Sequence, residues 1–166
     1  MLDIGCGPRG SLEWADTASE RIGLDPLPDE YRRLGAGAHR MRYVAAGSED
    51  LPFPSGYFDV ACTFNSLDHV DDLGRAIAEI QRVIEPGGLL LLLTELNHPP
   101  TLAEPMSFSW EILDAFGEME PLEVRHYERS ASGLYDSILQ ADMYDHADPR
   151  VRYGILSAKL RKPEGR

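Results

Sequence analysis

Cysteine is scarce in this 166-residue chain, with only Cys6 and Cys62 present. Both fall in segments that read as buried strand or strand end, so no disulfide framework is expected and a reducing cytoplasm is the expected location. Long apolar runs are missing as well. The longest, 88–93, is strand-sized and far short of the roughly 20 residues that a membrane-spanning helix needs. No basic stretch followed by an apolar core opens the chain, so no signal peptide is read there. Positive charge is in short supply: 16 Lys and Arg stand against 28 Asp and Glu, a formal net charge of −12. The basic residues are scattered, with a local excess only in the tail 159–166. A phosphate backbone would be repelled, so nucleic acid is not an expected partner and a small molecule is. Internal repeats and low-complexity tracts are also absent, and the length suits one domain over 1–166.

What is present is a regular alternation of strand and helix signals. Short apolar strands are read at 1–4, 21–24 (ending in Asp25), 41–46 and 58–64, and a continuous apolar strand at 89–94. Residues 11–19 read as a short helix and 29–34 as a helical turn. The clearest helix follows Asp71 and Asp72, either of which can cap it, with Leu73, Ile77, Ile80 and Ile84 at helical spacing before the stop at Pro86, Gly87 and Gly88. A further helix is expected over 109–116. Two last strands, 122–128 and 152–160, flank a polar, aromatic-rich stretch. Alternation of this kind implies an α/β fold, with a mostly parallel sheet and helices on both faces.

The chemistry is concentrated at the start. Gly5, Gly7 and Gly10 form a Gly-x-Gly-x-x-Gly turn between a strand and a helix, where the backbone can approach a ligand and amide N–H groups can point at it. Alone the pattern is weak. Asp25, twenty positions after Gly5 at the end of the second strand, adds a carboxylate placed to accept ribose hydroxyls. Asp3, two residues before the first glycine, is placed to hold the loop's N–H groups or to meet the ammonium end of a bound amino acid.

Leu2-Asp3-Ile4-Gly5-Cys6-Gly7 resembles motif I of the class I S-adenosylmethionine-dependent methyltransferases, and later landmarks follow in that family's order. They are Asp25, the stretch from Glu49 to Pro54 before Phe58-Asp59-Val60, Leu67-Asp68-His69-Val70, and Ile84-Glu85-Pro86-Gly87-Gly88-Leu89. The similarity is greatest to the type 11 methyltransferase domain and runs from residue 2 to about 96. It implies a Rossmann-like seven-stranded sheet with the last strand antiparallel, S-adenosylmethionine as cofactor, a cofactor-binding half (2–96) and a substrate-side half (97–166). By the same resemblance Gly5, Cys6 and Gly7 approach the methionine part of the cofactor. Asp25 and Pro26 lie at the ribose, Ser48 and Glu49 border the adenine, and Phe64 and Asn65 lie beneath the methionine. Two positions depart from the pattern: Arg9 stands where a third glycine is usual, and Gly47 where an acid often precedes the adenine side. The family's helix ahead of the first strand is expected to be missing. A homodimer or a partner subunit covering the cofactor site is therefore one expected arrangement.

The site should lie beyond the carboxyl ends of the strands. His98, just past the fifth strand, and His69, at a family position, are the candidate catalytic residues, since imidazole titrates near neutrality. His126 reads as packing or solvent-facing. Asp145, His146, Asp148 and Glu95 have no diagnostic metal spacing, and no metal is expected. Residues 135–146 read as a lid or substrate wall, and Trp110 and Phe108 as pocket or helix-to-sheet packing. Methyl transfer to oxygen or nitrogen of a small molecule is the expected function. Two alternatives stay open: a silent or truncated cofactor-binding partner subunit, and a nicotinamide dinucleotide-binding protein.

Overall fold

A computed structural model describes residues 1–165. Seven strands form one sheet: β1 (Leu2–Ile4), β2 (Ile22–Asp25), β3 (Arg42–Ala45), β4 (Phe58–Phe64), β5 (Ile84–Leu96), β6 (Glu120–Glu128) and β7 (Gly154–Arg161), in the order β3-β2-β1-β4-β5-β7-β6. The first five are mutually parallel, and β7 runs antiparallel to both β5 and β6. The strand order reverses between β1 and β4, which places a crevice at their carboxyl ends.

Period-two alternation assigns the faces. Leu2, Ile4, Leu90, Leu92, Leu156 and Leu160 share one core with Ile77, Ile80 and Val83 of helix α2 (Leu73–Val83) and with Ile112 and Phe116 of a 3₁₀ segment, Trp110–Phe116. Each such side chain fully withdrawn from water contributes roughly 1.5–3 kcal/mol, so this face carries most of the stability. Cys62, Leu91 and Val60 point the other way, onto Leu12 and Met41, while Leu93 and Ile155 meet Leu134 of the short helix α3 (Leu134–Leu139). Both faces are covered, but unequally.

Asp72 caps α2 by accepting from the Arg75 N–H at 3.0 Å. The helix ends at Val83, and Ile84 is already extended and paired with Phe58. Gly88 is needed just beyond, because a Cβ there would stand 2.9 Å from the Glu85 carbonyl oxygen and 3.0 Å from that of Asp59. The strand expected at 89–94 is therefore longer, beginning before the Pro-Gly-Gly turn.

Two helix expectations need correction. Residues 11–19 form a chain of tight turns, with Glu13, Ala15 and Ala18 N–H groups bonding three residues back. The segment has no continuous apolar stripe: Leu12 is buried and Trp14 is exposed, so burial does not offset the weak helix preference of its Ser, Thr and Asp residues. Residues 110–116 wind as 3₁₀, with Ser109 capping Glu111 at 3.3 Å. The helical turn expected near 29–34 is helix α1 (Pro28–Arg33). Among the described residues, no helix is long and apolar enough to cross a membrane.

Candidate functional site

A cavity of about 660 Å³ opens at the carboxyl ends of β1, β2 and β4, within the usual size range for small-molecule sites. One wall is the turn after β1. Gly5 and Gly7 there take left-handed φ values of 69° and 57°, which glycine adopts without Cβ strain. A Cβ on Gly5 would sit 2.3 Å from the Ser66 Cβ, whereas nothing lies within 4 Å of the corresponding position at Gly7. The Gly7 side of the turn is thus open for close approach by a ligand, and the Gly5 side is packed against the element after β4.

Asp25 ends β2 at the cavity wall and is only 8% exposed. Its Oδ2 accepts from the Gly7 N–H at 3.2 Å, and its Oδ1 accepts from the Leu27 N–H at 3.1 Å and the Tyr31 hydroxyl at 2.7 Å. The carboxylate therefore ties the glycine turn to α1 and retains a lone pair toward the cavity. Pro26, Leu27 and Tyr31 line the same wall. Burial, then the bond to Asp25, pushes the Tyr31 phenol well above its ordinary value, so it stays a donor.

Asp3 lies behind the turn at 1% exposure and does not line the cavity. Its Oδ2 accepts from the Ser11 hydroxyl, while its Oδ1 has no partner. Burial pushes its carboxyl up to about 7, opposed by the Ser11 bond and aided by the Asp25 charge. Cys6 and Phe64 also lie away from the cavity. Cys6 packs with Leu12, Met41 and Cys62, and Phe64 packs from that same face, so its side chain is turned from the position expected for it. The strand period explains this, since Thr63 and Asn65 alternate with Phe64.

Ser48, Glu49 and Asn65 do line the cavity. Glu49 Oε1 accepts from the N–H groups of Asp71 (2.9 Å) and Asp72 (3.4 Å). Burial would raise its pKa, yet these amide bonds outweigh that and hold it below the ordinary value. Asn65, at a positive φ of 54°, accepts from the Glu95 N–H at 3.1 Å and so links β4 to β5. Arg9 points away from the cavity wall and is exposed.

The two candidate histidines part company. His69 lines the cavity rim, whereas His98 is 7% exposed and lies off the wall, with its Nε2 unpartnered and 3.8 Å from Asp68 Oδ2. The expected access of His98 to an acceptor is thus not what the structure displays. The loop after β5 folds back and buries it, closed by the Asn97 N–H on the Phe108 carbonyl (2.8 Å) and the Ser107 hydroxyl on the His98 carbonyl (2.5 Å). Phe108 belongs to the core, and Trp110 stacks on His126 at 4.2 Å between ring centroids, with Tyr144 and His146 against it. The stretch 135–146 contains α3 and an extra pairing of Met143 with Tyr127. Glu95 is paired with Arg129, and Asp148 with Arg150 and Arg152.

Tyr31 and Leu27 at the cavity were not picked out from the sequence, and Val70 and Asp71 only as a motif position and a candidate helix cap. Tyr31 alone had a usable signal, its position six residues past the ribose-side acid on the short helix that follows it.

A parallel β3-β2-β1-β4-β5 sheet closed by an antiparallel β7 inside β6, with a glycine turn and an acid at the reversal point, defines the Rossmann-like methyltransferase class. The chain belongs to the methyltransferase domain family, which matches residues 2–92. The ubiquinone/menaquinone biosynthesis C-methyltransferase of Pasteurella multocida is 32% identical over 165 residues, covering 93% of this chain and 59% of that protein. The malonyl-[acyl-carrier protein] O-methyltransferase of Pseudescherichia vulneris is 35% identical over 96 residues, covering 57% of this chain and 38% of that one. The chain thus spans about half the length of these relatives. Among solved structures, the Burkholderia thailandensis 1,6-didemethyltoxoflavin-N1-methyltransferase shares the fold at a TM-score of 0.68 and 19% identity, over 98% of this chain and 70% of that one. It holds S-adenosylhomocysteine and 1,6-didemethyltoxoflavin. S-adenosylmethionine is the cofactor of the family. The residues present fit it: an open glycine turn, a buried carboxylate with a free lone pair, and a cavity of suitable size.

Proposed function

We propose that this protein transfers a methyl group from S-adenosylmethionine to oxygen or nitrogen of a small molecule. The observation that carries the reading is the cavity bounded on one side by Gly5, Gly7 and Asp25 and on the other by Asn65 and His69, a donor end and an acceptor end in one space. When bound, the cofactor supplies an electrophilic methyl group on a sulfonium. The chain's own contribution is placement and exclusion of water. Asp25 accepts from the ribose, and Gly7 leaves room for the backbone to approach the amino-acid end. Asp3, bonded to Ser11, stands behind that turn and supports it. Ser48 and Glu49 bound the adenine end. At the acceptor end His69 faces the cavity. His98, buried against Asp68, acts as a positioning residue.

A second reading, cofactor binding without transfer as a partner subunit, is favoured by the burial of His98, which leaves His69 alone of the two candidates at the wall. Calorimetric titration with S-adenosylhomocysteine, with NAD as control, tests the shared part. Tight NAD binding with no response to S-adenosylhomocysteine overturns both readings. Binding of the methyl donor, with label transferred to at least one of a panel of hydroxyl and amine acceptors, supports the first; binding with none transferred supports the second.

A further inference from the structure

The loop after β5 does more than bury His98. Its tip is a turn in which the Thr101 N–H bonds the Glu104 carbonyl (2.8 Å) and the Glu104 N–H bonds the Thr101 hydroxyl (2.9 Å). A third bond, from the Met106 N–H to the Asp68 carbonyl at 3.3 Å, pins this loop to the 3₁₀ turn Leu67–His69 that follows β4. The result brings Asp68, His69 and Glu104 together, with one donor atom from each lying within 4.8 Å of the others.

The chemistry of those atoms is unbalanced. His69 Nδ1 donates to the Ala103 carbonyl at 2.5 Å, so the neutral ring presents a lone pair, not a proton, at Nε2. That lone pair faces Asp68 Oδ1 at 3.8 Å, too far for a hydrogen bond. Asp68 is 1% exposed and its Oδ1 has no hydrogen-bond partner among the described residues. Glu104 adds a second carboxylate within 4.8 Å of both. Three electron-rich groups thus converge on one point, and a buried carboxylate oxygen left without a donor is costly. A backbone carbonyl fixing the far nitrogen of a histidine is also how metal-bound imidazoles are held.

We propose that Asp68, His69 and Glu104 bind a first-row divalent metal ion of the Mn²⁺ or Zn²⁺ type at the acceptor rim of the cavity. Adjacent ligands of such an ion stand about 3.0–3.4 Å apart, so the widest gap in the cradle has to close by up to about 1.5 Å on binding. One imidazole and two carboxylates favour these ions over Ca²⁺. His98 Nε2 lies 3.8 Å from the other Asp68 oxygen, near it but not bonded to it. Because His69 lines the cavity, the ion's remaining coordination positions face it, and there the ion holds an anionic or hydroxyl-bearing acceptor. This last assignment rests on the methyl-transfer reading; the metal site itself does not.

The test is titration of the chelator-treated full chain with Mn²⁺, followed by the loss of the free-ion electron paramagnetic resonance signal, and with Zn²⁺ by calorimetry. One equivalent should bind. Glu104→Gln, at a half-exposed position, and His69→Gln should each weaken binding at least tenfold, while His146→Gln, in the distant His126–His146 pair, should not. Absence of saturable binding by both ions up to millimolar concentration overturns the site, as does binding that neither rim variant weakens. S-adenosylhomocysteine is titrated into the same metal-free protein. If it binds and the metals do not, the metal site falls and the cofactor reading stands; if the metals bind and it does not, the reverse holds.

Discussion

Asp25 and Asp68 are both buried carboxylates, yet both oxygens of Asp25 have partners and one oxygen of Asp68 has none. Asp25 accepts from two backbone amides and a phenol, whereas Asp68 Oδ1 accepts from nothing. Backbone amides cannot leave, so the donor end of the cavity is built before any ligand arrives. The acceptor end holds uncompensated electron density. Under the proposed function, the preformed half is the one that takes the cofactor and the unfinished half the one that meets the acceptor.

The comparison is most easily broken at Gly5. Gly5→Ala places a Cβ against Ser66 at a φ of 69°, and should cost about 3–5 kcal/mol of stability with loss of S-adenosylhomocysteine binding. Chemical denaturation and calorimetry read both, and a variant as stable as the parent would remove the packing argument.

Asp3 gives the next largest effect. Its folded-state value of about 7 stands above the ordinary 3.8, so the folded chain holds this proton more tightly than the unfolded chain. The group's stabilising contribution is complete below about pH 4. It is lost as pH rises through 7 and levels off above that, a change of at most about 4 kcal/mol. Asp3→Asn should flatten that pH dependence; an unchanged profile would place the shift elsewhere.

Asp25→Ala should weaken S-adenosylhomocysteine binding by about 1–3 kcal/mol and lower the melting temperature. Asp68→Asn in metal-free protein at pH 8 should leave stability equal or raised by about 1 kcal/mol, since it removes a buried charge without a partner. If both substitutions destabilise alike, the contrast between the two acids is lost. A comparably small effect is expected for Tyr31→Phe, a loss of about 0.5–1.5 kcal/mol of stability from one hydrogen bond to Asp25, read by thermal denaturation.

The sheet was legible because parallel strands buried on both faces declare themselves as apolar runs, as 58–64 and 89–94 do. Helix α2 was legible from Leu73, Ile77 and Ile80 at helical spacing, although Ile84, the fourth residue of that pattern, belongs to β5. Residues 11–19 misled because helix preference was judged without a stripe to bury, and Phe64 because a motif position does not say on which face a strand residue points. The fates of His98 and Glu104 could not be read at all. Both depend on how one loop folds back onto a 3₁₀ turn some thirty residues earlier, and nothing in Thr101-Leu102-Ala103-Glu104 encodes that contact locally.

The placement of β7 between β5 and β6 bears on how the molecule is made. During synthesis the five parallel strands can zip in chain order, but β6 emerges from the ribosome with no neighbour to pair with. It joins the sheet only when residues 154–161 arrive and slot in beside β5, so the nascent chain carries an open apolar edge until its last strand is translated. A ribosome stalled before that point would display a protein able to assemble its glycine turn while still lacking the far third of its sheet.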